Sequence, residues 1–299
     1  MPHIQKPKLV VILGPTASGK SALAVRLAKK FSGEIISADS RQIYKGLDIG
    51  TGKITKRDMR GITHYCLDLV SPKRNFSVAE FVKSANVAIR QITSRGKTAI
   101  LVGGTGLYID AVARGIIFPE VPPNPKLRKY LSRKSTTELF RMLKSRDPER
   151  ATAIDHQNPR RLIRALEIIE ATDKPIPSAQ KKKPYRTIFI GIQRSTKEIH
   201  KRIRSAIRRR IKRGLIKETT KLLKLGISAK RLGELGLDYP FAILVLNGSM
   251  PRRALTKKLE EANWNYAKRQ MTWFRKNPHI HWVKSQKEAE RLVSRFIYN

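Results

Sequence analysis

Cysteine occurs once in this chain, at Cys66. A single thiol excludes an intramolecular disulfide and any zinc site built from several cysteines, and it fits a reducing, cytosolic setting. His64 stands two residues away, but one histidine beside one cysteine reads as packing before it reads as a metal site. No run of about 18 apolar residues occurs, so no membrane span is expected. The N-terminus lacks a charged segment followed by an apolar run and a cleavage site, so no secretory leader is expected. Acidic side chains are scarce: 23 against 63 lysines and arginines, for a formal net charge of +40 over 299 residues. Such a field attracts polyanions, nucleic acid first among them, although a general lysine and arginine excess would give the same sign. The basic residues cluster, as Arg208-Arg209-Arg210 with Lys212-Arg213 and as Lys181-Lys182-Lys183. With 40% hydrophobic residues and recurrent apolar periodicity, disorder is a poor explanation of the composition. The length is enough for a large core, expected in two lobes.

What the chain does have is Gly14-Pro15-Thr16-Ala17-Ser18-Gly19-Lys20-Ser21, which fits the phosphate-binding pattern G-x-x-x-x-G-K-[ST]. The apolar, β-branched run Leu9 to Leu13 precedes it and the helical run Ala22 to Ala28 follows, which is the strand–loop–helix context the motif requires. Glycines let backbone N–H groups turn inward around phosphate oxygens. The helix N-terminus adds its positive dipole end. Lys20 supplies a point charge and Ser21 a hydroxyl for Mg²⁺. The loop therefore binds a di- or triphosphate, without saying which.

Strand and helix alternate from residue 8 to about 117. Glu34 to Ala38 reads as a buried strand ending at Asp39-Ser40, 77 to 94 as a helix, Thr98 to Val102 as a strand ending in Gly103-Gly104-Thr105-Gly106, and 107 to 114 as a helix. This pattern predicts an α/β fold, a parallel sheet core of the phosphate-loop NTPase type covered on both faces. Ligands in such folds sit beyond the strand carboxyl ends, so Gly14 to Ser21, Asp39-Ser40 and Gly103 to Gly106 should share one pocket. The character changes near Phe118 to Pro123. Residues 124 to 172 look helical and highly charged, with Asn158-Pro159 as cap and first position of a helix, and 173 to 184 look like a linker. Thr187 to Ile192 resumes as a strand. Helices are expected at 196–213, 215–224 and 251–275, and a late strand at His279 to Val283. The chain thus divides into a core, 1–118, a helical insertion, 119–184, and a core continuation with C-terminal helices, 185–299.

Several residues could carry chemistry. Asp39, at a strand end in the expected pocket, reads equally as a general base and as a turn cap. Thr105 in its GGTG turn reads, alone, as a tight turn without a ligand. Arg128 by itself is a solvated residue. Arg160 and Arg161 sit at a helix N-terminus, where the dipole disfavours cations and an anionic partner would offset the cost. In 264–275, WNYAKRQMTWFR, aromatic and basic residues interleave, which suits base stacking. The same residues form an amphipathic helix burying Leu259, Ala262, Tyr266 and Trp273, and that is the reading adopted for the aromatics.

Taken together, GPTASGKS at 14, ISADSRQIYKGLDIGTGK at 36, LVGGTGLYI at 101, QNPRRLIRALEI at 157 and YAKRQMTWFR at 266 resemble the tRNA dimethylallyltransferases, or tRNA isopentenyltransferases, in order and spacing over nearly the whole chain. The resemblance implies transfer of a dimethylallyl group from dimethylallyl diphosphate to the N6 amine of the adenine 3′ of the anticodon in tRNA. It implies that Thr16, Ser18, Gly19, Lys20 and Ser21 hold the leaving diphosphate, within a loop that also includes Gly14, Pro15 and Ala17. Mg²⁺ would be shared by Ser21. Asp39 matches the family's general base and Arg128 an arginine that helps stabilise the diphosphate; Lys20 completes the catalytic set. Asp39, Ser40, Arg41 and Gln42, then Thr105, Arg128, and Gln157, Asn158, Pro159, Arg160 and Arg161 match tRNA-contacting positions, the helical insertion holding the anticodon stem. A cytoplasmic enzyme is implied, and nothing demands more than a monomer.

The chain departs from the family twice. Many members have an active-site arginine where this chain has Ala206; Arg202 and Arg209, each about a turn away, are candidates to replace it. Residues 235–240 read LGLDYP instead of the commoner glycine–tyrosine–basic pattern, so no tRNA contact is carried over there. Two other functions compete. A phosphate-loop kinase would use ATP and an acidic Mg²⁺ ligand on a later strand. An RNA-binding protein with a vestigial loop is opposed by the intact Lys20-Ser21.

Overall fold

Residues 6–176 and 183–299 are described by the computed structural model. Lys181 and Lys182 of the second basic cluster, with part of the 173–184 linker, lie outside the described residues. The chain forms two compact units, Met1–Gly115 with Lys183–Asn299 as one and Ile116–Lys182 as the other.

The larger unit is built on strands β1 (Lys8–Leu13), β2 (Gly33–Ala38), β3 (His64–Tyr65), β4 (Thr98–Gly103), β5 (Arg186–Ile192) and β6 (Ile280–Val283). They form one parallel sheet in the order β3-β2-β4-β1-β5-β6. β1 lies between β4 and β5, with Val11 opposite Leu101 on one side and Phe189 on the other. The chain leaves β1 through α1 (Lys20–Lys30) and re-enters at β2, one strand beyond β4; β5 later joins on β1's other side. Strand order therefore reverses at β1, and a ligand crevice belongs at its carboxyl end.

Alternation along β1 assigns its two faces. Val10 and Ile12 pack with Leu23 and Leu27 of α1 and Val293 of α14 (Gln286–Tyr298). Leu9 and Val11 pack with Phe81 and Ile89 of α3 (Val78–Thr93) and Tyr108 of α4 (Gly106–Ala113). Both faces are covered, so β1 is buried from Leu9 to Leu13, as a parallel sheet requires. α3 starts at a capping box in which Ser77 and Glu80 satisfy each other's backbone N–H groups. A second layer holds α9 (Thr196–Lys212), α10 (Leu215–Lys224), α11 (Ala229–Leu235), α12 (Tyr239–Leu246) and α13 (Leu255–Phe274). Its core takes in Ile43, Tyr44 and Leu47, which ties the loop after β2 to these helices.

The smaller unit packs α5 (Pro125–Leu131), α6 (Thr136–Arg146), α7 (Pro148–Ala153) and α8 (Pro159–Thr172) around Leu131, Leu139, Leu143, Leu162 and Leu166. Each helix is started by a side-chain cap: Asn124, Ser135, Asp147 and Asn158 accept a hydrogen bond from the first turn, the usual way to satisfy its exposed donors.

Two expectations need correcting. The segment 251–275 opens with a 3₁₀ turn, Arg252–Ala254, before α13 begins. Along α13 the buried stripe is Leu255, Leu259, Asn263, Ala267, Gln270 and Phe274, whereas Ala262, Tyr266 and Trp273 are half-buried. Apolar spacing misplaces the stripe because two of its members are amides with buried partners. The short β3, a four-residue α2 (Lys56–Met59), α11, α12 and α14 carry no expectation from the sequence. Among the described residues no helix is long and apolar enough to cross a membrane.

Candidate active site

The phosphate loop leaves β1 at Gly14 with φ +155°. A β carbon there would lie 2.9 Å from Ser18 Oγ, so only glycine lets the loop close over that hydroxyl. Ala17 and Gly19 both have positive φ, at 62° and 96°, which turns the chain sharply into α1. Gly19 caps the helix without a side-chain hydrogen bond, so the first amides of α1 stay open to an anion. Ser18 Oγ is buried with no hydrogen-bond partner among the described residues. Lys20 Nζ has one long hydrogen bond, to Pro15 O at 3.3 Å. Burial lowers the Lys20 pKa, and the Asp39 charge partly restores it. Buried polar groups normally have partners; these two have capacity that an oxyanion would use. Ser21 is exposed in the first turn of α1.

Asp39 follows β2. Its Oδ1 accepts the Arg41 N–H at 2.9 Å, so the turn role read from the sequence is real and uses one of its two oxygens. Thr105 is tied to the same corner: its Oγ1 accepts the Ser40 N–H at 3.1 Å and lies 3.4 Å from Ser40 Oγ. Tyr266 of α13 lies at the same corner, and burial together with the Asp39 charge pushes its phenol up to about 12, so it remains protonated at neutral pH. Gln42 Nε2 donates to Gly52 O at 3.4 Å, while Arg41 is exposed.

The long loop carrying these residues is held by two charged side chains that sequence reasoning missed. Glu218 of α10 accepts the N–H groups of Asp48, Ile49 and Gly50 at 3.1, 2.8 and 2.9 Å, and the Tyr239 hydroxyl at 2.9 Å. Buried Lys53 donates to Tyr44 O, Asp48 and Asp68 at 2.9, 2.7 and 2.5 Å. Tyr239 belongs to the LGLDYP segment, so in this chain that stretch supports the loop from beneath. A glutamate in an amphipathic helix gives no sign of such partners in a sequence.

α13 lies across the strand ends. Gln270 Oε1 accepts the Thr16 N–H at 2.8 Å, and its Nε2 donates to Gly104 O at 2.8 Å. Thr16 therefore has its hydroxyl, and not its amide, for a phosphate. A β carbon on Gly104 would lie 2.2 Å from Gln270 Nε2, and one on Gly106 2.2 Å from the Trp273 ring. Gly104 and Gly106 are thus explained by the close approach of α13, and Gly103 by that of Ala38 at the end of β2, whose carbonyl oxygen would lie 2.1 Å from a β carbon there. Trp273 Nε1 donates to Asp110 at 2.8 Å. On α9, Arg202 Nη1 would lie 3.7 Å from a β carbon on Gly19, and Glu198 steadies its Nε at 3.4 Å. Ala206, one turn on, is half-buried. A cleft of about 540 Å³ opens on the β5 side of the loop, with Pro15, Ile192, Ile199, Trp264, Met271 and Trp282 in its walls.

Of the residues singled out in the sequence, Gly14 to Ser21, Asp39 to Gln42 and Thr105 share the carboxyl edge of the sheet. Arg128 and 157–161 belong to the helical unit. There Arg128 donates through Nε and Nη2 to both oxygens of Glu167, each at 2.7 Å. Burial would raise the Glu167 carboxyl, but bonds from Arg128, the Asn124 N–H and Arg164 hold it down to about 2. Asn158 caps α8; Gln157, Pro159, Arg160 and Arg161 are exposed, with Arg161 3.7 Å from Asp155.

A family model described as IPP transferase matches residues 42–277. A tRNA dimethylallyltransferase of Thermoanaerobacter sp. (strain X514) is 41% identical, over 97% of this chain and 96% of its own. The crystal structure of a full-length tRNA isopentenylpyrophosphate transferase of Bacillus halodurans is similar at TM-score 0.74 and 34% identity, covering 98% of this chain and 97% of that one. A eukaryotic dimethylallyltransferase acting on tRNA, 23% identical, shares the fold at TM-score 0.81 over 98% of this chain and 80% of its own.

Proposed function

The chain belongs to the IPP transferase family, and on that footing we propose that it is a tRNA dimethylallyltransferase, alkylating N6 of the adenine 3′ of the anticodon with dimethylallyl diphosphate. The observation that carries this reading is the pairing of an anion-binding loop with a carboxylate base. Asp39 lies close enough to Lys20 for its charge to offset part of the lowering that burial imposes on the ammonium, and its Oδ2 makes no hydrogen bond among the described residues. A kinase reading is less favoured. The ends of β4 and β5 carry Gly103-Gly104-Thr105 and Ile192-Gln193, with no acidic residue there to serve as a kinase's Mg²⁺ ligand.

The N6 lone pair is delocalised into the purine and is a weak nucleophile. As its nitrogen bonds to the allylic carbon, that carbon's bond to diphosphate oxygen breaks, the electron pair leaves with diphosphate, and the amine proton passes to Asp39. Charge builds on the departing diphosphate, where Ser18 Oγ, the open amides of α1, Lys20 and Arg202 are placed to stabilise it. The exposed Ser21 hydroxyl is the group that would hold Mg²⁺, which when bound would supply further neutralisation of the leaving group. The cleft beside Pro15 gives the donor an approach separate from the Asp39 side, which is left to tRNA. The adenine must leave its stack to reach the base, at a cost of about a few kcal/mol, least in a loop. Arg41, Gln42, Thr105, Gln157, Arg160 and Arg161 are assigned to tRNA, the exposed arginines through phosphates. Arg128, fixed by Glu167, keeps its Nη1 amino group for an oxyanion. A monomer in the cytoplasm is the expected setting.

The test is mass spectrometry of an unmodified tRNA transcript, with adenine 3′ of the anticodon, incubated with dimethylallyl diphosphate and Mg²⁺. A gain of one five-carbon unit on that adenine is expected. No gain, with phosphate transfer from labelled ATP to a small acceptor instead, would overturn the proposal.

Arg202 is assigned the role that Ala206 cannot fill. Arg202→Gln should lower kcat about 10²-fold, the lower end of the effect of losing one charge-stabilising donor. Arg202→Lys should recover part of the loss, and Ala206→Arg in the Arg202→Gln background should recover more. Steady-state kinetics in dimethylallyl diphosphate would show this; an unchanged kcat in Arg202→Gln would remove Arg202 from the site.

A further inference from the structure

We infer that Gln270 is a positioning residue that sets the separation of donor and acceptor during transfer, an inference that rests on the dimethylallyltransferase reading. The residue is 6% exposed, and its two amide ends bind the two halves of the site. Oε1 accepts from Thr16 in the phosphate loop, and Nε2 donates to Gly104 O, both at 2.8 Å. Gly104 precedes Thr105, which holds the Ser40 N–H at 3.1 Å, and Ser40 follows Asp39. A continuous path therefore runs from the loop that holds the leaving group, through one amide, to the base. A carboxamide is suited to this span because it presents a donor and an acceptor from one rigid plane. The absent β carbon at Gly104, which would fall 2.2 Å from Nε2, is what lets the amide reach the carbonyl.

Tyr266, Gln270 and Trp273 present one face of α13 to Thr105, Gly104 and Gly106. Tyr266 and Trp273 pack against that turn, and Gln270 alone of the three also bonds the phosphate loop. A leucine would fill the same buried space without the desolvation penalty of an amide. Gln270 touches no reacting atom. Its effect is on alignment, where a displacement of about 1 Å can cost about 10²-fold in rate.

The experiment compares wild type with Gln270→Leu, which removes both bonds, and Gln270→Glu, which keeps an acceptor for Thr16 and sets a carboxylate oxygen against Gly104 O. Single-turnover transfer is measured with tRNA and dimethylallyl diphosphate saturating, alongside Kd for tRNA, Kd for inorganic diphosphate and thermal unfolding by circular dichroism. The expected result is a rate roughly 30- to 100-fold lower in both variants, with each Kd within about threefold of wild type and folding retained. If Gln270→Leu does not fold, the near-isosteric Gln270→Glu decides. Rates equal to wild type, or a loss that tracks weakened binding of one substrate, would overturn the positioning role while leaving the functional reading intact. A wild-type protein that transfers nothing would overturn the functional reading and this inference with it.

Discussion

Asp39→Ala should abolish nearly all turnover, by about 10³-fold, while tRNA affinity stays within about twofold. A general base contributes about 10²- to 10⁴-fold, and a factor of 10³ corresponds to about 4 kcal/mol of transition-state stabilisation. The adenine N6 needs this help, because its lone pair is conjugated and its proton becomes acidic only as the C–N bond forms. Asp39 also makes a turn: Oδ1 accepts the Arg41 N–H at 2.9 Å. Asp39→Ala alone would confuse loss of the base with loss of the turn. Asp39→Asn separates them, since its carbonyl oxygen can keep the bond to Arg41 while the amide cannot accept a proton. If the base role is right, Asn is nearly as inactive as Ala in single-turnover assays, and both bind tRNA as wild type does in filter binding. An Asn variant with near-normal turnover would show that the turn, and not proton transfer, is what Asp39 provides.

The parts of this site legible in the sequence are those whose chemistry is local. Gly14 to Ser21 can be read because a phosphate loop needs its glycines, lysine and serine at consecutive positions, and the flanking strand and helix are equally local. Asn158-Pro159 is likewise a short-range signal, and the structure places both residues at the start of α8. Asp39 was legible as a residue with two possible uses, and the structure gives it one of them while leaving an oxygen over. Gln270, Glu218 and Lys53 were not legible as anchors. Their partners are 254, 168 and 15 residues away or thereabouts in the chain for the bonds to Thr16, Gly50 and Asp68, and only the folded sheet and helical layer bring them together. The inner stripe of α13 was misplaced for the same reason. A rule that seeks apolar residues passes over Asn263 and Gln270, which are inside because Asp238 and Gly104 meet them there. Arg202 shows a third situation: helical periodicity named it as a neighbour of position 206, but only the structure sets its guanidinium against Gly19.

Lys20→Met should lose activity by about 10²- to 10³-fold and at the same time make the ligand-free protein more stable. The two effects have one cause. Lys20 is drawn into the phosphate loop with, among the described residues, a single hydrogen bond, to Pro15 O, and burial lowers its pKa despite the opposing pull of Asp39. A lysine whose folded pKa is lowered binds its proton less tightly folded than unfolded. It therefore costs stability while charged, in full below the folded pKa, and the cost fades as pH rises from there to the unfolded value. Methionine keeps most of the shape and removes the buried charge, so Tm at neutral pH should rise. The gain should shrink in alkaline buffer. Diphosphate reverses the balance, because it binds the folded state and supplies the missing anion: it should raise the Tm of wild type strongly and that of Lys20→Met little. Wild-type affinity for diphosphate should weaken with rising pH before the ordinary lysine range is reached, as the free enzyme's Lys20 loses its proton. Thermal melts with and without inorganic diphosphate, across pH, would read all of this in one series. A Lys20→Met protein that is less stable than wild type, or that is stabilised equally by diphosphate, would mean that the ammonium is already satisfied within the fold and is not the cation that meets the leaving group.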